Sequence, residues 1–242
     1  MNFKQTILAL TVLGIAFSAC KKDKATEPEK VADFTQVSKY IKKYNNGVIE
    51  VTQLPIPDTT AANRRKWTLF SFDKMDFVDV GKVKTGDWDF GFQAREVSVI
   101  SANNGITSDE ESPFHESPAR VYLKSFFGKF EEVTEAPAAL NFDTDYDDYN
   151  VIGTAGENIK DYNQFPFYWA YYSLNVDKEP THLVPYTNNY SIFKLTDGRY
   201  VKFQMINTYN NAPEKNSPNS SKGYLSFRYF ISKAGSKDLK TK

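Results

Sequence analysis

Trp88, Phe90 and Phe92 alternate with Asp89, Gly91 and Gln93, and this two-residue period constrains the fold more than any other feature of the chain. Successive side chains of a strand point to opposite faces, so an aromatic residue at every second place makes one face for a core and one for water. Lys66 to Phe72 (KWTLFSF) is apolar on both faces and reads as a central strand. Val121 to Phe127 (VYLKSFF) and Phe165 to Tyr171 (FPFYWAY) read as further aromatic strands. Val201, Phe203 and Met205 share one face of another, which Asp197-Gly198 introduces as a turn. Leu225, Phe227, Tyr229 and Ile231 share one face of the last. The 19 Phe and 15 Tyr supply an inner face for each of these strands, and both residue types favour strands. Many short strands with turn-rich connections predict an all-β, antiparallel domain of packed sheets or a partly closed barrel. One stretch departs from the pattern. Val37, Tyr40, Ile41 and Tyr44 fall at i, i+3, i+4 and i+7, which predicts one short N-terminal helix, ended by Asn45-Asn46-Gly47.

The first residues carry a different signal. Lys4 precedes the mostly apolar, uncharged run Ile7 to Ala19, which stops at Ser18-Ala19 directly before Cys20. The run is shorter than the ~18–20 residues of a spanning helix. Positive start, apolar middle and small residues are the layout of a cleaved export signal, here residues 1–19. A cysteine at the next position resembles the lipobox of bacterial lipoproteins, with Phe17 where Leu is more usual. Cys20 is therefore expected to be the lipidated first residue of the mature chain. Residues 20–33 are expected to be a charged, solvated tether (KKDKATEPEKV and its flanks), and residues 34–242 a single β-domain. Anchoring through Cys20 implies a lipid bilayer as partner and the cell envelope as location, on the outer membrane, facing the periplasm or the surface. Cys20 is the sole cysteine, so once acylated it leaves no thiol for disulfides, Cys-rich metal sites or thiol catalysis.

Basic and acidic residues balance at 30 each, which gives no footprint for nucleic acid. The chain has no Gly-rich phosphate loop, no HExxH pair and no Gly-x-Ser-x-Gly elbow. Asp143, Asp145 and Asp147 begin a calcium-loop spacing, but Asp148 and Thr154 stand where that loop needs glycine and glutamate. A solvated acidic turn is the better reading. Asp87, Asp89, Glu131 and Glu132 are the carboxylates available to a glycosidase pair, a signal of little specificity. Ser101 to Ala119 and Asn175 to Asn189 are long polar connections, and Asn207 to Lys222 is a third; long loops of this kind are usually functional or mobile.

Four segments in order resemble the HmuY-like family of haem-binding lipoproteins: WTLFSF at 67–72 followed by Val78-Asp79-Val80, DWDFGF at 87–92 followed by Asn103-Asn104-Gly105, DGRYVKFQMINTY at 197–209, and KGYLSFRY at 222–229. With the lipoprotein signal, the resemblance spans about residues 48–232. It implies an all-β, antiparallel, hand-shaped fold of packed sheets in which loops hold haem (iron protoporphyrin IX) non-covalently. The absence of a Cys-x-x-Cys-His attachment site agrees with that. Members grip the iron with two histidines or with methionine, both normal iron ligands. One family histidine lies just beyond the aromatic strand matched by Phe167 to Tyr171, near Ser173 and Leu174; His182 lies farther along the same connection. The other precedes that strand, in a region matched by Phe130 to Asp148, and His115 lies on an earlier loop.

His115 and His182 are thus the first candidates for haem-iron ligands, and Met75 and Met205 weaker ones. The alternative for the histidines is two exposed loop residues with no special role. Met205 alternates with Val201 and Phe203 and also reads as core; Met75 follows the turn at Asp73-Lys74 and also reads as packing on a neighbour. The resulting expectation is a non-catalytic protein that binds haem for haem and iron acquisition and passes it to an outer-membrane haem transporter. The competing one is an envelope or adhesion module of the same fold that has lost haem ligation, or that holds another hydrophobic ligand.

Overall fold

A computed structural model describes residues 33–57, 66–93, 97–107, 110, 112, 114–138, 141–142, 144–147, 149–155, 168–173, 182–211, 217 and 219–241. The residues expected to form a signal peptide (1–19) and nearly all of the expected tether (20–33), Cys20 included, lie outside the described residues. The strands in chain order are β1 Phe34–Ser38, β2 Ile41–Tyr44, β3 Ile49–Pro55, β4 Trp67–Ser71, β5 Asp76–Val78, β6 Phe90–Gln93, β7 Val99–Ala102, β8 Tyr122–Phe127, β9 Asn150–Ala155, β10 Tyr168–Ser173, β11 His182–Pro185, β12 Asn189–Lys194, β13 Tyr200–Tyr209 and β14 Lys222–Ile231. Among the described residues they form two seven-stranded sheets, ordered β1-β2-β3-β14-β13-β12-β8 and β11-β10-β9-β7-β6-β4-β5. The pairing is antiparallel except between β9 and β10, which run parallel. The all-β antiparallel reading holds.

The aromatic alternation explains how the sheets meet. Phe70 and Phe90 come from one sheet, Phe203 and Phe227 from the other. Phe70 packs edge-on against Phe227 at 5.3 Å between ring centroids, and Phe90 lies tilted against Phe203 at 5.4 Å. Phe72, just past β4, touches both Phe193 and Tyr229, at 5.2 and 4.9 Å. Tilted and edge-on ring pairs of this kind stabilise by about 0.5–1.5 kcal/mol each beyond the area they bury. β13 is buried on both faces: Val201, Phe203 and Met205 turn to this core, while Lys202 and Gln204 lie on the other side, covered as well.

The expected N-terminal helix is two strands instead. β1 pairs with β2, and β2 with β3, across residues 34–51. Of the four apolar residues at helical spacing, Ile41 is 3% exposed while Val37 is 47% exposed, so no continuous apolar helix face exists. β-branched and aromatic residues favour a pleated strand over a short isolated helix. Asn45-Asn46-Gly47 makes the β2–β3 turn rather than a helix stop. Gly47 there has φ +84°, and an added Cβ would lie 2.8 Å from the Phe230 ring.

The 101–119 connection is packed into the domain where it is described. Most of its described residues are buried and form a plug. Asn103 is fully buried, and its Nδ2 donates to the carbonyls of Thr85 and Trp88, each at 2.9 Å. Ser117 Oγ donates to Asn103 Oδ1 at 2.8 Å. The chain passes so close to itself here that a Cβ on Gly105 would lie 1.9 Å from the Ser117 carbonyl oxygen. The polar side chains of this connection satisfy buried backbone groups.

Candidate functional site

Among the described residues β11 is an edge strand, hydrogen-bonded on one side to β10. The antiparallel register sets His182 directly across from Ser173, and Tyr172 across from Leu183. His182 is 3% exposed, with φ +67°. A non-glycine residue in the left-handed region carries strain that its surroundings must hold. Those surroundings are aromatic. The Tyr172 ring stands edge-on to the imidazole at 4.3 Å between centroids. The Tyr209 hydroxyl, reaching across from β13 in the other sheet, hydrogen-bonds His182 Nδ1 and also accepts the Leu183 backbone N–H at 3.1 Å. Tyr171 and Tyr186 pair beside them at 5.4 Å.

Tyr209 is itself held firmly. Its backbone N–H donates to Asn207 Oδ1 at 2.8 Å, and its carbonyl accepts from Gln53 Nε2 at 2.8 Å. The last turn of β13 therefore presents a fixed phenol to the edge of the opposite sheet. In the sequence, Tyr209 ends the segment DGRYVKFQMINTY and Tyr172 follows the aromatic run Phe165 to Tyr171; neither pattern marks a site. A tyrosine closing an apolar strand, with asparagine two residues before it, was the available signal.

The other candidates lie elsewhere. His115 is half-buried, with Nδ1 3.1 Å from the Thr107 carbonyl oxygen. Its neighbour Phe114 packs on Trp67 of β4 at 5.3 Å and on Trp88 at 5.5 Å. β4 is five strands from β11, a separation on the order of 24 Å at ~4.8 Å per strand. The two histidines are not brought together. Met75 follows the β4–β5 turn, at the sheet edge opposite β11, and packs on the main core with φ +54°. Met205 is buried on β13, four residues before Tyr209, and with Trp169 and Tyr186 borders a void of about 10 Å³, room for one water at most.

A different polar arrangement occupies the start of β13. Ser71, Asp73, Asp87, Asp89, Thr196 and Arg199 are among the walls of a cavity of about 320 Å³. Arg199 donates to both oxygens of Asp73, at 2.9 and 2.6 Å, and through Nε to Asp197 at 2.7 Å. These bonds hold the Asp73 carboxyl below the ordinary carboxylate range and the guanidinium above its own. Asp87 pairs with Lys82 at 2.7 Å. Asp89 accepts the Phe72 backbone N–H at 2.7 Å, and burial pushes its carboxyl up. Charged walls of this kind suit a porphyrin face poorly, since ligand pockets for apolar groups are lined by apolar side chains. Glu131 is paired with Arg228, and Asp145 and Asp147 with Lys124 at 2.7 and 3.1 Å. Among the described residues, no group of three or more His, Cys, Asp or Glu is arranged to hold a metal ion.

Two mostly antiparallel seven-stranded sheets, with a left-handed, aromatic-walled histidine at one edge, make up the described β-domain. The chain belongs to the HmuY family: the family model described as HmuY protein matches residues 63–229. A crystal structure described as a candidate HmuY-like haem-binding protein from Bacteroides vulgatus is 15% identical, with a TM-score of 0.39 over 81% of this chain and 94% of that one. A candidate lipoprotein from Bacteroides fragilis is 11% identical, with a TM-score of 0.35 over 84% and 97% of the two chains. No curated protein matches the chain. Among the described residues, no helix is long and apolar enough to cross a membrane.

Proposed function

We propose that this protein is a non-catalytic lipoprotein of the cell envelope that binds haem non-covalently, with His182 as an axial ligand to the iron. Residues 1–19 would direct export, and Cys20 would carry the lipid on the tether of residues 20–33, holding the domain at the outer membrane. Haem held there would be available to an outer-membrane transporter for iron acquisition.

One observation carries the ligand assignment. The family resemblance puts an axial histidine just beyond the aromatic strand, near Ser173 and Leu174 in this chain. The chain has serine there, but the β10–β11 register sets His182 directly opposite Ser173. Directly opposed residues of an antiparallel pair have Cα atoms about 4.5–5.5 Å apart, so a histidine nine residues later in sequence returns to nearly the same point in space. The donor chemistry fits haem iron: an imidazole with one nitrogen hydrogen-bonded to a neighbouring group, beside aromatic rings, is how protein metal sites orient a histidine. His115 does not join it, so the proposal is a site with one histidine from these two.

Titration of the protein with ferric haem tests this. A shifted, sharpened Soret band saturating at one haem per chain is expected for the unmodified protein and for His115→Ala. His182→Ala should lose the shift while keeping its β-sheet circular dichroism. If His115→Ala loses the band and His182→Ala keeps it, the ligand assignment is wrong. If the unmodified protein gives no shift, the haem reading fails, and an adhesion module or a carrier of another hydrophobic ligand becomes the better account.

A further inference from the structure

We infer that Tyr209 is the positioning residue of this site: its hydroxyl holds the His182 ring so that Nε2 is the nitrogen presented to iron. The inference rests on the haem reading above and adds to it a residue in a different sheet.

An edge strand has one neighbouring strand to fix it, and β11 has β10. Backbone pairing sets where His182 Cα lies but leaves the imidazole free to rotate about its own bonds. Three things remove that freedom. The left-handed backbone at His182 alters the direction of the side chain relative to its neighbours on the strand. The Tyr172 ring closes one side at 4.3 Å. The Tyr209 hydroxyl takes Nδ1 and, through the Leu183 N–H at 3.1 Å, is tied to the backbone of the next residue. The phenol therefore contacts both the ring and the strand that carries it.

The choice of tyrosine has a chemical reason. A metal binds the imidazole nitrogen that bears no proton, so iron at Nε2 requires the proton on Nδ1. A phenol oxygen can donate a hydrogen bond to a bare Nδ1 or accept one from a protonated Nδ1. Tyr209 can therefore serve either tautomer at the same position, and the ring need not turn when a ligand arrives. A lysine there could only donate, and a carboxylate could only accept while adding a charge to a dry site. The anchoring of Tyr209 by Asn207 and Gln53 makes the phenol a fixed reference rather than a follower of the histidine.

The test uses the full chain with 15N-labelled histidine and needs no variant to begin. With two histidines in the sequence, His115→Ala assigns the resonances. Gallium protoporphyrin IX serves as a diamagnetic probe. On its addition, the Nε2 resonance of His182 should move by coordination while Nδ1 keeps a hydrogen-bonded proton. Coordination through Nδ1 would overturn the inference. Tyr209→Phe then provides the second arm. It should shift the Nδ1 resonance of the ligand-free protein and weaken ferric haem binding on the order of 10–100-fold, the usual range for loss of a group that orients a metal-bound histidine. Unchanged haem affinity and Soret position in folded Tyr209→Phe, with the unmodified protein binding haem, would defeat this inference alone. Absence of binding by the unmodified protein would defeat the haem reading and this inference with it.

Discussion

β13 has a polar residue of opposite character at each end. Arg199, just before its start, is a charged group meeting carboxylates beside an open cavity. Tyr209, at its finish, is a phenol meeting an imidazole where almost no surface is exposed. The two are separated by ten residues, about 30 Å of strand. Water makes the difference. Where it enters, charges remain ionised, and their pairs are weak because solvent competes for both partners. Where it is excluded, every donor needs its own acceptor, and each match is worth more because nothing replaces it. A site for a flat, mostly apolar ligand belongs at the second kind of place, where its polar contacts are few and specific.

Lys202 lies between the two ends, a charged residue type in the dry part of the strand. It is 0% exposed. Its Nζ donates to the carbonyls of Phe130 and Val133 at 3.1 and 2.9 Å and to Thr241 Oγ1 at 3.2 Å, and it lies 4.6 Å from the Phe130 ring centroid. One side chain thereby ties β13 to the short turn at 130–132 and to the end of the described chain. Methionine has nearly the same length and no donors. Lys202→Met should lower stability by about 3 kcal/mol, because buried carbonyls would lose the donor that satisfies them. For a domain of this size that is a fall of about 6–12 °C in melting temperature. The opposing expectation is that an apolar isostere of a buried charge is neutral. A melting point within a degree or two of the unmodified protein would favour it.

The charged end should yield a smaller effect with a different signature. Arg199→Ala removes a bidentate contact that links the β4–β5 turn of one sheet to the β12–β13 hairpin of the other. Asp73 and Asp197 are both well exposed, so the loss should be about 1 kcal/mol. Chemical denaturation in urea at low and high salt is the measurement. The gap between Arg199→Ala and the unmodified protein should narrow as salt rises, while that of Lys202→Met should not. Equal salt dependence of the two would mean that water does not divide the strand as described.

The sequence made the middle of this strand readable and its ends obscure, for a physical reason. Alternation of Val201, Phe203 and Met205 is a local pattern, as is that of Trp88, Phe90 and Phe92, and local patterns determine which face is inward. The misread helix at 37–44 is the same logic applied to too short a window, where a period of 3.6 and an irregular hairpin produce similar spacing. His182 is a different case. Its burial depends on Tyr209, 27 residues later, and on a register that pairs it with Ser173 across a connection outside the described residues. No local period encodes either relation. Asn103 was likewise legible as a polar residue but not as a buried one, since its partners Thr85, Trp88 and Ser117 lie far along the chain in both directions.

Asp89 gives the smallest effect and the one of opposite sign. Burial raises its carboxyl above the ordinary value, outweighing the Phe72 N–H and the nearby hydroxyl of Ser71. The native state therefore takes up this proton before the unfolded chain does. The stability penalty of the ionised form is present in full above the folded value and is relieved as pH falls through it, the reverse of Asp73, whose contribution is lost as pH falls. Asparagine keeps an oxygen for the Phe72 N–H and removes the charge. Asp89→Asn should thus be more stable than the unmodified protein at pH 7, by up to about 1 kcal/mol, and the advantage should shrink as the pH is lowered toward the unfolded value near ~3.9. Urea unfolding across that range would reveal it. An advantage that grows on acidification would mean that Asp89 is stabilised as an anion, and that the cavity at the Arg199 end is wet enough to keep all of its carboxylates charged.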